Sequence, residues 1–148
     1  MLRISKLTDY GVVLATHLAA PRVGETLAVR DLARETGIPQ PTVSKVLKQL
    51  GRSGIVEAQR GATGGYRLTR RPEEITIAEV IAAVEGPIGV TECATDESLG
   101  SCELETRCDV RTNWQRINRA VQTALESVRL SDMVLPNQPK LVPLRTHA

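Results

Sequence analysis

The chain has no phenylalanine, one tryptophan and two tyrosines, so any core it builds is aliphatic, made from Leu, Val, Ile and Ala. No apolar run approaches the roughly 18 residues needed to span a bilayer. The opening Met1-Leu2-Arg3-Ile4-Ser5-Lys6 lacks the apolar stretch of a signal peptide, which makes a cytoplasmic protein with no membrane partner the expectation. Histidine is scarce as well: His17, expected on the surface or half-buried on a first helix, and His147 near the end. A nucleophilic cysteine needs a base and an orienting acid, and no such set is suggested here, so an enzyme is not expected. There are three cysteines. An odd number closes no disulfide framework, and in a reducing cytosol such a set reads as metal-binding or redox-active.

What is present is unevenly spread. At 148 residues the chain fits one domain, or a small domain with an oligomerisation element. The net charge of +2 conceals an asymmetry: residues 1–72 carry 12 Lys/Arg against 5 Asp/Glu, and residues 73–148 carry 7 against 12. A basic front half points to a polyanionic partner held there, although a solvated basic face gives the same count.

Between Ser5 and Ala20, Ile4, Leu7, Tyr10, Val13, Leu14 and Leu18 recur at the spacing of an amphipathic helix, which Pro21 and Gly24 end. After a short segment at Thr26–Val29, residues 30–36 form a second helix with Leu32 and Ala33 inward and Gly37 just past its end. A third runs from Thr42 to Ser53, with Pro41 in its first turn, Val43, Val46, Leu47 and Leu50 on one face, and Gly54 as its stop. Two short helices across Gly37-Ile38-Pro39 make a helix-turn-helix pattern, or simply a tight helix pair. Ile55–Arg60 then reads as a strand, Gly61–Gly65 as a turn and Tyr66–Thr69 as the returning strand. Helix-turn-helix followed by a Gly-rich basic hairpin is the layout of a winged helix. The fold expected is mainly α with a small β-hairpin: a winged helix-turn-helix domain plus a long dimerisation helix.

In that layout double-stranded DNA is the partner. Base and phosphate contacts fall to the exposed residues of the second reading helix, Gln40, Pro41, Thr42, Ser44, Lys45 and Lys48. Arg60, Gly61, Thr63 and Arg67 of the wing can lie along the sugar-phosphate backbone, where glycines permit close approach. Farther on, Thr76-Ile77-Ala78-Glu79 has the form of a capping box and opens a helix that Gly86-Pro87 closes. Asp109 is placed to cap a long helix reaching about Arg129, with Trp114, Ile117, Val121, Leu125 and Val128 on one face. That stripe needs cover, from the chain's own core or, preferred here, from a second copy reading the other half of a palindrome. Ser131–Leu135 makes one further turn, and the Pro-containing remainder is left as a tail.

All three cysteines, Cys93, Cys102 and Cys108, fall within residues 89–109, with Glu92, Asp96, Glu97, Glu103, Glu105 and Asp109 around them. Structural zinc sites usually show a close cysteine pair, and the gaps of eight and five residues here provide none. The C-x2-C elements of ferredoxins are missing too. Three separated thiols with one position left for another ligand suit a labile, sensing cluster; zinc and a free-thiol redox switch are the alternatives.

The opening I-S-K-L-T-D-Y-G-V, the wing R-G-A-T-G-G-Y-R-L, the segment I-T-I-A-E-V-I-A-A-V-E-G and the three-cysteine loop together resemble the IscR/NsrR family of winged-helix regulators over residues 1–135. The resemblance implies a homodimer that holds one iron–sulfur cluster per subunit and binds palindromic promoter sites, a 2Fe-2S cluster being favoured over 4Fe-4S. It implies Cys93, Cys102 and Cys108 as the cluster ligands. The assembly-regulating branch has a histidine three residues after the last cysteine; here Arg111 stands there, and a guanidinium offers no lone pair to iron. The nitric-oxide-sensing branch instead uses an aspartate from the first helix of the partner, and Asp9 matches it; a carboxylate favoured by the helix dipole is the plainer role for that residue. Overall the chain is most similar to regulators of the Suf assembly operon. The expected function is a repressor sensing cluster status, with a nitric-oxide or redox sensor, or a zinc or iron–sulfur carrier without DNA, as alternatives. Residues 1–88 form the expected DNA-binding domain, 89–109 the cluster loop, 110–135 the dimerisation helix and its end, and 136–148 the tail.

Overall fold

The computed structural model describes residues 3–20, 25–95, 100 and 102–134. The expectations for Pro21 and Gly24, for Asp96 and Glu97, and for the tail with His147 fall outside them. Among the described residues, six α-helices and one hairpin follow in chain order: α1 (Lys6–Ala19), α2 (Val29–Thr36), α3 (Gln40–Arg52), β1 (Val56–Gln59), β2 (Gly65–Leu68), α4 (Ile77–Glu85), α5 (Arg111–Glu126) and α6 (Leu130–Val134). The architecture is mainly α with one antiparallel hairpin, as the sequence suggests.

Helix α1 starts where Ser5 Oγ accepts the Thr8 N–H at 3.2 Å, satisfying one of the free donors of the first turn. It packs on α3, α4 and α6. Gly11 permits the approach to α4: a Cβ there would stand 2.9 Å from Val84 Cγ2. The core is aliphatic throughout, with Leu14, Leu32, Val43, Val46, Leu47, Leu50, Ile75, Val80 and Leu130 fully buried. No helix among the described residues is long and apolar enough to cross a membrane.

Two expectations are corrected at α5. Asp109 does not cap it: Val110 holds the cap position without a side-chain bond, and Asp109 lies exposed in the preceding turn. The helix also stops at Glu126 rather than Arg129. The backbone beyond it is used elsewhere, since Ile77 N–H donates to Val128 O at 2.9 Å and Leu130 N–H to Ile75 O at 2.8 Å. This pairing, an antiparallel bridge at Thr76 and Arg129, drives Leu130 into the core. The apolar stripe is consequently divided. Leu125 and Val128 pack against the chain's own core, whereas Val110, Trp114 and Ile117 stay exposed at 50%, 36% and 44%.

Candidate functional site: a basic reading face and a thiol loop

The turn between α2 and α3 is fixed from both sides. Gly37 takes φ +72°, a left-handed conformation that favours glycine, and its N–H closes on Ala33 O at 2.9 Å. Ile38 is buried behind it. With Val43, Val46, Leu47 and Leu50 all in the core, α3 turns its other side to solvent. Gln40, Pro41, Lys45 and Lys48 are exposed there, and Thr42 and Ser44 are half-buried. Pro41, Ser44, Lys45 and Lys48 line one shallow depression with Gln49 and Arg52. Arg52 extends the row of cations beyond the sequence expectation, and the i, i+3, i+7 spacing of Lys45, Lys48 and Arg52 was the available signal. Among the described residues Lys45, Lys48 and Arg52 form no ion pair, and the first turn of α3 carries no acid. Cations without ion pairs along the exposed side of α3 suit phosphate.

The wing is an antiparallel pair in the register Val56 with Leu68 and Gln59 with Gly65. Its tip presents Arg60, Gly61 and Thr63, all exposed. The tip is braced from below: Thr26 Oγ1 donates to Thr63 O at 2.6 Å, and Leu27 exchanges backbone bonds with Tyr66 at 3.0 and 2.9 Å. Gly65 makes that bridge possible, since a Cβ would lie 2.5 Å from the Leu27 backbone. Arg67 is reassigned. Its Nε donates to Glu57 Oε1 across the strands at 2.7 Å, so it ties the hairpin together, and Arg60 is the wing's cation without an ion pair among the described residues.

The thiol loop follows α4, whose start is a full capping box between Thr76 and Glu79. Cys93 is buried, with its Sγ 3.5 Å from Thr91 Oγ1; Cys102 and Cys108 are half-buried, and all three are free thiols. The turn around Cys93 is held by Asn118 of α5, which accepts from Val90 N–H at 3.0 Å and donates to Ala94 O at 3.2 Å. Sequence reasoning passed over Asn118, although an amide four residues after Trp114 and three before Val121 breaks the apolar stripe. His17 pairs with Glu35 between α1 and α2 at 2.8 Å, outside the loop, in keeping with a half-buried helix residue.

The donor set has the chemistry of a soft-metal or iron–sulfur site: three sulfurs in one loop, none in a disulfide, with Glu92, Glu103 and Asp109 exposed beside them. Their placement in the single chain is open. Among the described residues no three His, Cys, Asp or Glu side chains gather as a metal-binding group. Asp9 is exposed in the first turn of α1, with no hydrogen-bond or ion-pair partner for its carboxylate among the described residues.

Comparison with known proteins adds to this geometry. The Rrf2 family model, described as an iron-dependent transcriptional regulator, matches residues 4–136. The HTH-type transcriptional repressor NsrR of Streptomyces coelicolor is 31% identical over 145 residues, covering 97% of this chain and 96% of that protein. The HTH-type transcriptional regulator IscR of Aliivibrio salmonicida is 26% identical over 141 residues, covering 95% and 82%. Among solved structures, CymR (YrzC), the global cysteine regulator of B. subtilis, superposes with a TM-score of 0.70 at 30% identity, covering 90% of this chain and 97% of that one. T. potens IscR gives 0.69 at 25% identity, covering 90% and 86%.

Proposed function

Because the chain belongs to the Rrf2 family of iron-dependent transcriptional regulators, we propose that it is a homodimeric repressor whose hold on a palindromic promoter site depends on an iron–sulfur cluster. It is a regulator and not an enzyme. The observation that carries the cluster reading is the set of three free thiols in one loop, tied by Asn118 to the helix that exposes Trp114 and Ile117.

Cys93, Cys102 and Cys108 are the residues that would hold the cluster, with Asp9 of the partner subunit as the fourth ligand. When bound, an iron–sulfur cluster supplies a centre sensitive to iron supply, oxidants and nitric oxide. The chain's own part is to present the thiols beside α5, to pair through the exposed half of that helix, and to set the separation of two α3 helices. Lys45, Lys48, Arg52 and Arg60 engage phosphates, and Gln40, Pro41, Thr42 and Ser44 stand where base edges are read, with Gly61 and Thr63 at the wing tip.

The target genes we propose are those of Suf-type cluster assembly. A nitric-oxide-responsive repressor is the second reading, favoured by Arg111 at the histidine position of the assembly branch. Anaerobic purification with absorption spectroscopy and iron and sulfide counts tests the cluster, and gel shift on the protein's own promoter tests the DNA role. A cluster without promoter binding would make the chain a carrier. Promoter binding with neither iron nor sulfide would remove the sensor. Release by nitric oxide but not by a chelator would favour the second reading.

A further inference from the structure

Asn118 is the one buried residue of α5, 6% exposed, and both ends of its amide are used. Its oxygen takes the Val90 N–H and its nitrogen gives to the Ala94 carbonyl, two backbone groups that bracket Cys93. Between them the chain folds on itself. Ala94 N–H closes on Thr91 O at 3.0 Å, and Gly89 lies so near Thr95 that a Cβ would stand 2.9 Å from Thr95 Cγ2. Cys93 at the centre of this turn is 7% exposed, whereas the other two thiols are half-buried.

We infer that Asn118 is a positioning residue: it clamps the Cys93 turn onto α5 and carries any rearrangement of that turn into the helix bearing Val110, Trp114 and Ile117. The geometry requires an acceptor and a donor at a fixed separation on one short side chain. Aspartate keeps only the acceptor and leucine neither. Because the amide is buried, the turn cannot move away without exposing or orphaning polar groups, so turn and helix move together or the clamp opens. Groups that orient a ligand without touching the metal change affinity by about 10–100-fold, and Asn118 stands in that relation to Cys93. The inference deepens the proposed function and rests on it for the cluster, but the clamp belongs to the iron-free chain.

The test uses the full-length protein. In the iron-free chain, pulsed alkylation read by mass spectrometry gives the rate at Cys93 relative to Cys102. Asn118→Leu is expected to raise that ratio about tenfold, the factor expected when one or two buried hydrogen bonds no longer oppose local opening. Asn118→Asp is expected to raise it less, and Asn113→Leu, on the exposed side of the same helix, not at all. An unchanged ratio in Asn118→Leu overturns the clamp. Should circular dichroism show that the variants do not fold, hydrogen exchange of the native chain decides. A Val90 amide protected like those of α5 supports the clamp, and one exchanging like an open loop overturns it. With the cluster reconstituted, Asn118→Leu is expected to lose it in air about tenfold faster. If the native chain builds no cluster, the sensor reading fails while the alkylation ratio still judges the clamp. If the cluster forms and the ratio does not change, the clamp fails and the sensor reading stands.

Discussion

Thr76 and Glu79 hold each other's backbone at the start of α4: Glu79 N–H donates to Thr76 Oγ1 at 3.1 Å, and Thr76 N–H donates to Glu79 Oε2 at 2.7 Å. Arg70 adds an ion pair to the same carboxylate at 2.8 Å. Partial burial pushes the Glu79 carboxyl up, but the Thr76 N–H, the Arg70 guanidinium and the Thr76 hydroxyl outweigh it, and the net direction is downward from 4.5. A carboxyl lowered on folding stabilises the fold above its unfolded value, and that contribution is lost as pH falls through the lower folded one. Glu79→Gln keeps an acceptor for the Thr76 N–H and removes only the charge, so it is expected to lower stability at neutral pH by about 0.5 kcal/mol, the scale of a charge near a helix N-terminus, with the ion pair adding little because it is exposed. Urea unfolding of both proteins at pH 7 and below pH 4 checks this. The gap should narrow on acidification, and a gap independent of pH would remove the carboxylate from the account.

On the reading face, Lys45→Ala should weaken promoter binding and flatten its salt dependence. Removing one cation from a phosphate reduces the slope of log affinity against log salt by about 0.9. Lys45 is exposed and outside the core, so the unfolding midpoint should not move. Arg52→Ala should act in the same sense. Gel shifts across a salt series measure both, and a slope unchanged in Lys45→Ala would separate that side chain from phosphate.

The wing offers a steric test. Strands generally accept valine, yet at Gly65 a Cβ meets the Leu27 backbone at 2.5 Å, and backbone cannot swing aside. Gly65→Val should break the Leu27–Tyr66 exchange and cost about 2 kcal/mol, the net worth of two backbone bonds. Thermal unfolding reads the loss, and DNA affinity should fall with it as the wing tip loses its brace.

These examples show why some features were legible in the sequence and others were not. Gly37, Gly54 and the Thr76–Glu79 box obey rules that span four residues or fewer, so those helix ends could be placed closely. The end of α5 could not, because pairing with residues 75–77, some fifty positions earlier, decides it. Asn118 is a similar case: its partners lie 28 and 24 residues away, and periodicity sees only an amide in a stripe. Arg67 looked like a wing cation because nothing local names Glu57 as its cross-strand neighbour. The three thiols were legible as a group from their positions in the sequence, while what would gather them lies beyond a single chain's local rules.

The exposed half of α5 gives a prediction about assembly. Trp114 and Ile117 are a third or more exposed in the single chain, so Ile117→Glu should leave subunit stability within about 0.5 kcal/mol. If a second copy covers them, the same change should weaken the dimer by about 2 kcal/mol or more, as expected of a buried apolar anchor. Sedimentation velocity over a concentration series distinguishes the outcomes. A dimer of unchanged strength would place the interface elsewhere.

Asp9 permits a sharper test than a single substitution. If Asp9 serves the thiols of the other subunit, an Asp9→Ala chain keeps three good cysteines and lacks only what its partner supplies. A Cys93→Ala chain has a ruined loop but an intact Asp9. Neither homodimer should hold a native cluster, since each site lacks one ligand. In a mixed dimer the Asp9→Ala loop receives Asp9 from the Cys93→Ala chain, and one site of the two is complete. Co-expression with two affinity tags isolates that heterodimer, and its iron content should reach about half the native value, with a native absorption spectrum. An Asp9 acting within its own chain predicts no recovery, because the defects then lie in both sites. A cluster of native spectrum and lifetime in the Asp9→Ala homodimer would show that the carboxylate is not a ligand at all. Asp9 would then be a carboxylate favoured by the dipole at the start of α1, and Glu92, Glu103 and Asp109 would be the next to substitute.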